Sequence, residues 1–223
     1  MKNKILIITI VTAIFIATPI SATVYTDATN DLNAVVNNDN LNFTGAEITN
    51  DFTTISFTIK ILGDVQSVNW GKYMIGINSV AGGDTNGNAW ARPISMSSGM
   101  DYWFGGWVDA ATDNLQLWHY DNGAWTNTAV YTSTIHPNSV VYSAPLSALG
   151  LTPGSSFTFD IYSSGGGAGD TAIDALSLSS ATVTGWSELY DSGANVSTYT
   201  VPIPEPVFIY YLSFIIFYLL KRK

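Results

Sequence analysis

The sequence predicts an all-β fold, an antiparallel β-sandwich of jelly-roll or immunoglobulin-like type. Three observations predict it. Apolar residues recur at period two rather than at a helical period. Clusters of Gly, Asn, Asp and Ser punctuate the chain at short intervals, as turns between strands do. Charged residues make up only 11% and aromatics 13%, unlike a coiled coil or a helical bundle. Of the 223 residues, 1–22 and 201–223 read as terminal segments. Residues 23–200 remain as one domain, long enough to bury a core without metal or disulfide staples.

Leu41 to Ile48 is the first candidate strand. Thr54 to Ile61 is the clearest: Ile55, Phe57, Ile59 and Ile61 share one face, and Thr54, Ser56, Thr58 and Lys60 the other. Tyr73 to Asn78, Tyr102 to Asp109, Asn114 to Asp121 and Ala124 to Tyr131 follow, rich in aromatic and β-branched residues. Val140 to Ser143 is a short strand, and Pro145 to Leu149 suits one helical turn. Phe157 to Tyr162 alternates again, turning Phe157, Phe159 and Ile161 inward. Ala175 to Ser179, Thr182 to Leu189 and Thr198 to Val201 complete the strands.

Two turns set registers. Asn122-Gly123 suits a type I′ turn, whose central residues both need positive φ. It pairs Tyr120 with Trp125 and Trp118 with Asn127. A loop from Ala110 to Asp113 pairs Trp107 with Gln116, Gly105 with Trp118 and Trp103 with Tyr120. Both registers sort residues alike. Trp103, Trp107, Gln116, Trp118, Tyr120, Trp125 and Asn127 share one face. Phe104, Val108, Leu115, Leu117, His119 and Val130 share the other. The Trp118 indole is placed to cover the bare backbone of Gly105.

The tryptophan face is the candidate glycan-binding surface. Sugars present flat C–H patches ringed by hydroxyls, so a binding face needs aromatic planes with amides beside them. Gln116 and Asn127 fit the second role. The same indoles also suit the interior between two sheets, where aromatics supply much of the buried area. Both readings stand at this point. Asp84, Asn86 and Asn88 have the alternate spacing with which a loop offers oxygen ligands to calcium, the one cofactor the sequence raises. Ala89 and Ser95 occupy the sixth and twelfth places, so the loop is not an EF-hand, and a polar turn is the other reading.

Little in the sequence points to catalysis. The Gly-rich run from Gly165 to Gly169 lacks the Lys and the following helix of a phosphate loop. His119 and His136, Glu47 and Glu188 sit in no recognisable catalytic pattern, and there is no nucleophile elbow. Without cysteine, disulfides, zinc–thiolate sites, iron–sulfur clusters and thiol nucleophiles are excluded. In the body Lys60, Lys72 and Arg92 face sixteen acidic residues, a net charge of about −13. Such a domain repels nucleic acid and anionic lipid.

The terminal segments carry targeting features. Lys2 and Lys4 precede an apolar run from Ile5 to Ala17, then Pro19 and the small residues Ser21 and Ala22, the form of a signal peptide. The run is shorter than the ~20 residues a span needs, which favours cleavage over retention. Near the other end, Val201-Pro202-Ile203-Pro204-Glu205-Pro206 forms a proline strip that cannot propagate a helix. An apolar run from Val207 to Leu220 reads as a transmembrane helix, and Lys221-Arg222-Lys223 would hold its end in the cytoplasm.

This order of Pro204-Glu205-Pro206, apolar helix and basic end resembles the PEP-CTERM tails of bacterial surface proteins. The resemblance implies that Pro204, Glu205 and Pro206 are read by an exosortase-type processing enzyme. It also implies that the tail is removed or exchanged on export, and that the protein reaches the cell envelope, cell surface or extracellular matrix. The body is similar to family 9 carbohydrate-binding modules and DOMON-like domains. The strand Thr54 to Ile61, Trp70-Gly71-Lys72-Tyr73 and the Asp-bearing Trp strands carry that likeness. No motif matches residue by residue, so no binding site is carried over. The sequence therefore predicts an exported, non-enzymatic surface or matrix protein. It would be membrane-attached through its C-terminal helix before processing and would bind no nucleic acid. A carbohydrate-binding module engaging exopolysaccharide is the alternative, and a glycan-active hydrolase the third reading.

Overall fold

Alternation and turn chemistry place most strands where the sequence predicts them. A computed structural model describes residues 22–36, 38–180, 183–193 and 195–204. The signal segment up to Ser21, the apolar helix at 207–220 and, of the sorting motif, Glu205 and Pro206 lie outside the described residues. In chain order the strands are β1 (Thr23–Thr26), β2 (Phe43–Asn50), β3 (Thr54–Ile61), β4 (Lys72–Asn78) and β5 (Ile94–Ser95). Then come β6 (Tyr102–Trp107), β7 (Leu115–Asp121), β8 (Ala124–Tyr131), β9 (Thr134–His136) and β10 (Ser139–Pro145). β11 (Ser156–Ser164), β12 (Asp174–Ala175), β13 (Tyr190–Asp191) and β14 (Ser197–Thr200) complete the set. A 3-10 turn spans Leu146–Leu149, where one helical turn is predicted. Among the described residues no helix is long and apolar enough to cross a membrane.

Twelve of the fourteen strands form two antiparallel sheets, consistent with a β-sandwich, and β5 and β13 pair with each other in parallel. One has the order β1-β2-β3-β10-β9. The other runs β12-β11-β4-β6-β7-β8, with β14 also on β11. Between them lies one core, in which Ile55, Phe57 and Ile59 from β3 meet Phe104, Phe159 and Ile161 from the second sheet. The Phe57 and Phe104 rings are 6.0 Å apart. Burying one face of each sheet is what the period-two pattern of β3 requires, and its outward residues stay partly exposed.

The second sheet is covered on its other face as well. Ile94 and Tyr190, paired on β5 and β13, and the loop residues Met96 and Ile173 close over Met74, Trp103 and Tyr162 in a second core. For this reason β4 and β11 lose their alternation and read as nearly continuous buried runs, Asp160 and Ser163 included.

The structure corrects several details. The β6–β7 register is displaced by two residues from the predicted one: Trp103 pairs with Trp118 and Gly105 with Gln116. The loop is longer because Asn114 is drawn into it, its amide donating to the Ala110 carbonyl and its Oδ1 accepting Ser133 N–H. A two-residue displacement keeps every side chain on its face. The β7–β8 pairing of Tyr120 with Trp125 and Trp118 with Asn127 is as predicted, with φ of 52° at Asn122 and 82° at Gly123. A bulge at Leu117/Trp118 then sets Val130 opposite Gln116, so Val130 is on the tryptophan face and 49% exposed. Residues 183–189 form no strand; Thr184 donates its N–H and hydroxyl to the Glu188 carboxylate in a local turn. Val201, predicted to open the tail, is buried and joined by backbone hydrogen bonds to Gly154 and Ser155.

Candidate functional site

The tryptophan face is neither the filling between the sheets nor a bare platform. Trp103, at its centre, is fully buried in the second core and stacks on Tyr162, with 5.8 Å between rings. Trp107, Trp118, Tyr120, Trp125 and Asn127 surround it and remain half-buried. The strip they form is held by two polar side chains. Gln116 Oε1 accepts the indole N–H of Trp118 at 3.1 Å and that of Trp90 at 3.0 Å. Asp84 Oδ2 accepts the indole N–H of Trp125 at 2.9 Å. Tyr120 packs on Trp125 at 5.3 Å.

Trp90 is the member that sequence reasoning missed. Its indole, not that of Trp118, lies over Gly105, where a Cβ would collide with the ring. It sits 6.3 Å from Trp107 and 6.4 Å from Trp103, with the Arg92 guanidinium 5.6 Å from its own centroid. The bare Gly105 backbone is the signal that some indole must cover it, but Trp90 arrives from a loop that has no periodicity. Arg92 is tied down in turn by Ser164 Oγ and the carbonyls of Gly165 and Asp170.

The loop at Asp84 proves to be a scaffold for these rings. Asp84 Oδ1 accepts the Asn86 N–H, which leaves Oδ2 for Trp125. Asn88 is buried and saturated: its amide donates to the carbonyls of Arg92 and Ile94, and its Oδ1 accepts the N–H groups of Trp90 and Arg92. Of the oxygens predicted to face calcium, those of Asp84 and Asn88 thus accept N–H groups, and Asn86 is exposed. The Gly-rich run likewise packs beneath Trp70 and Trp186, and the Gly167 N–H goes to the Asp170 carboxylate.

The remaining candidates for chemistry are engaged elsewhere. His119 stacks on Tyr102 at 4.6 Å, and Glu47 pairs with Lys60 at 2.9 Å. Among the described residues, the side chains grouped so as to hold a metal ion are Asp27, Asp31 and Asp174. Burial and the neighbouring Asp31 push Asp27 up to about 8. Burial raises Asp31, and burial together with Asp27 raises Asp174 well above the ordinary carboxylate range.

What the aromatic strip can do follows from its anchoring. Rings with fixed N–H edges lose little freedom when a flat partner stacks on them, so less of the contact energy is consumed in ordering. No family model matches the chain, and no curated protein is found to be similar to it.

Proposed function

We propose that this chain is an exported, non-catalytic protein of a bacterial cell surface or extracellular matrix, delivered by a signal peptide and sorted by an exosortase-type enzyme. The observation that carries the reading is the order of proline strip, apolar run and basic end from Pro202 to Lys223. The geometry at the start of the strip is in keeping with it. The fold closes at Val201, and Ile203, two residues on, is 70% exposed. An accessible, extended strip beside a folded domain is what a processing enzyme needs to reach. The test replaces Pro204, Glu205 and Pro206 together by alanine in an exosortase-bearing host. The variant should stay in the membrane fraction while the wild type is released, and equal release of both contradicts the reading.

A second reading concerns what the domain does once exported. The half-buried rings of Trp107, Trp118 and Trp125, the last two held by Gln116 and Asp84, favour binding of a neutral polysaccharide by stacking. The acidic body makes a neutral glycan a better partner than an anionic one. Affinity electrophoresis in polysaccharide gels tests it. Trp107→Ala and Trp118→Ala should lose retardation while keeping the wild-type fold, and undiminished retardation in both contradicts it.

A further inference from the structure

The acidic cluster lies apart from the aromatic strip and has no role in either reading above. Asp27 and Asp31 flank the turn that follows β1, and Asp174 belongs to β12 at the edge of the second sheet. One carboxylate oxygen from each lies within 4.8 Å of the others. Asp174 is 0% exposed and accepts the N–H of Phe43 at 2.6 Å and that of Ala175 at 2.8 Å. Asp31 is 1% exposed, and neither of its buried oxygens meets a donor. Asp27 Oδ2 is also buried and unpartnered.

A neutral side chain independently shows the same deficit. Asn42 is 3% exposed, and its amide donates to the Thr29 carbonyl, in the turn between Asp27 and Asp31. Its Oδ1 is buried with no donor, although the next residue, Phe43, bonds directly to Asp174. Buried polar atoms are nearly always paired, and buried charges are paired or bind metals. No cationic side chain of the body is free to serve. Lys60 pairs with Glu47, Lys72 with Asp109, and Arg92 bonds to Ser164 and the carbonyls beside it. In this cluster the orphan atoms are all oxygens of the hard type, from Asp27, Asp31 and Asn42, without His or Cys. That set selects calcium or magnesium over zinc or copper. Calcium binds oxygens at about 2.3–2.6 Å, so opposite ligands stand roughly 5 Å apart, the span of this cluster. Magnesium demands near-ideal octahedral geometry at about 2.0–2.1 Å, whereas calcium accepts six to eight oxygens in a flexible shell, bidentate carboxylates among them.

We propose that Asp27, Asp31 and Asp174 bind one calcium ion, with Asn42 Oδ1 as a further ligand, and that the ion pins the turn after β1 to both sheets. The local pattern Asp27-Ala28-Thr29-Asn30-Asp31 supplies two ligands, and the third comes from the far end of the chain. The ion is therefore a clasp on the tertiary fold rather than a self-contained loop site.

The test is a calcium titration of the full-length chain after chelator treatment, read by calorimetry and by the unfolding midpoint. One equivalent should bind, and the midpoint should climb with calcium concentration as mass action requires. Asp31→Asn should abolish both signals. Asn42→Ala, which keeps all three carboxylates, should weaken binding, and Asp84→Ala should leave it unchanged. No binding by the wild type, or an undiminished shift in Asp31→Asn, overturns the proposal. Loss of the shift in Asp84→Ala returns the ion to the Asp84 loop and overturns it equally. Wild-type binding in Asn42→Ala removes Asn42 from the ligand set, and an equal shift with magnesium overturns the assignment to calcium.

Discussion

Trp103 and Trp107 point to the same side of β6, yet only Trp103 is closed over by the loops. Trp103→Ala should therefore cost about 3–5 kcal/mol in urea denaturation, as for other fully buried aromatics, and Trp107→Ala clearly less. Equal losses would contradict the half-exposed strip. Gln116 serves two indoles, so Gln116→Leu leaves both N–H groups without their acceptor and should cost about 1–3 kcal/mol. Asp160 offers a test by pH. Burial pushes its carboxyl up to about 6, although Ser177, Ser192 and the backbone N–H groups of Ile161 and Ser177 donate to it and pull the other way. A carboxyl raised on folding stabilises fully below its ordinary value of 3.8, and the contribution is lost as pH rises through about 6. The wild type should lose stability across that window and Asp160→Asn should lose less, as urea midpoints against pH will show. Parallel slopes would contradict the assignment. At this scale the sequence gives residue types but not partners. Gln116 and Asp84 are legible as polar groups near indoles, yet Trp90 and Trp125 reach them from 26 and 41 residues away.

Among elements, the β7–β8 hairpin is the most legible, because its turn residues fix both φ values and pairing. A Cβ at Gly123 meets nothing within 4 Å, so only the backbone resists substitution there. Gly123→Ala should cost about 1–2 kcal/mol, the penalty of a left-handed L-residue. A neutral result would contradict the type I′ turn. The β6–β7 register is less legible, since loop length alone sets it and the Asn114 side chain is spent on Ala110 and Ser133 in a loop longer than the four residues predicted. Its faces survive because the error is two residues, while the one-residue bulge before Trp118 turns Val130 over. β1 and β9 escape sequence reading because they are short edge strands with little alternation.

For the whole molecule, the two-sheet core is visible in the sequence and the second core is not. The first is written in alternation, whereas Ile94 comes from a two-residue strand and Met96 and Ile173 from loops, too short or irregular to show a period that marks them as buried. The acidic cluster escapes for a similar reason, since Asp174 joins Asp27 and Asp31 only once both sheets are in place. Charge acts at this scale too. A body near −13 repels itself, so the unfolding midpoint should rise as sodium chloride screens it, and a flat response would show that the carboxylates are neutralised in other ways. The proposed export and sorting of the chain are tested most directly by the intact mass of the protein released from the surface of an exosortase-bearing host. The mature species should lack residues 1–22 and the segment beyond the Pro204-Glu205-Pro206 motif. Recovery of a released chain that still carries Lys221-Arg222-Lys223 would contradict it.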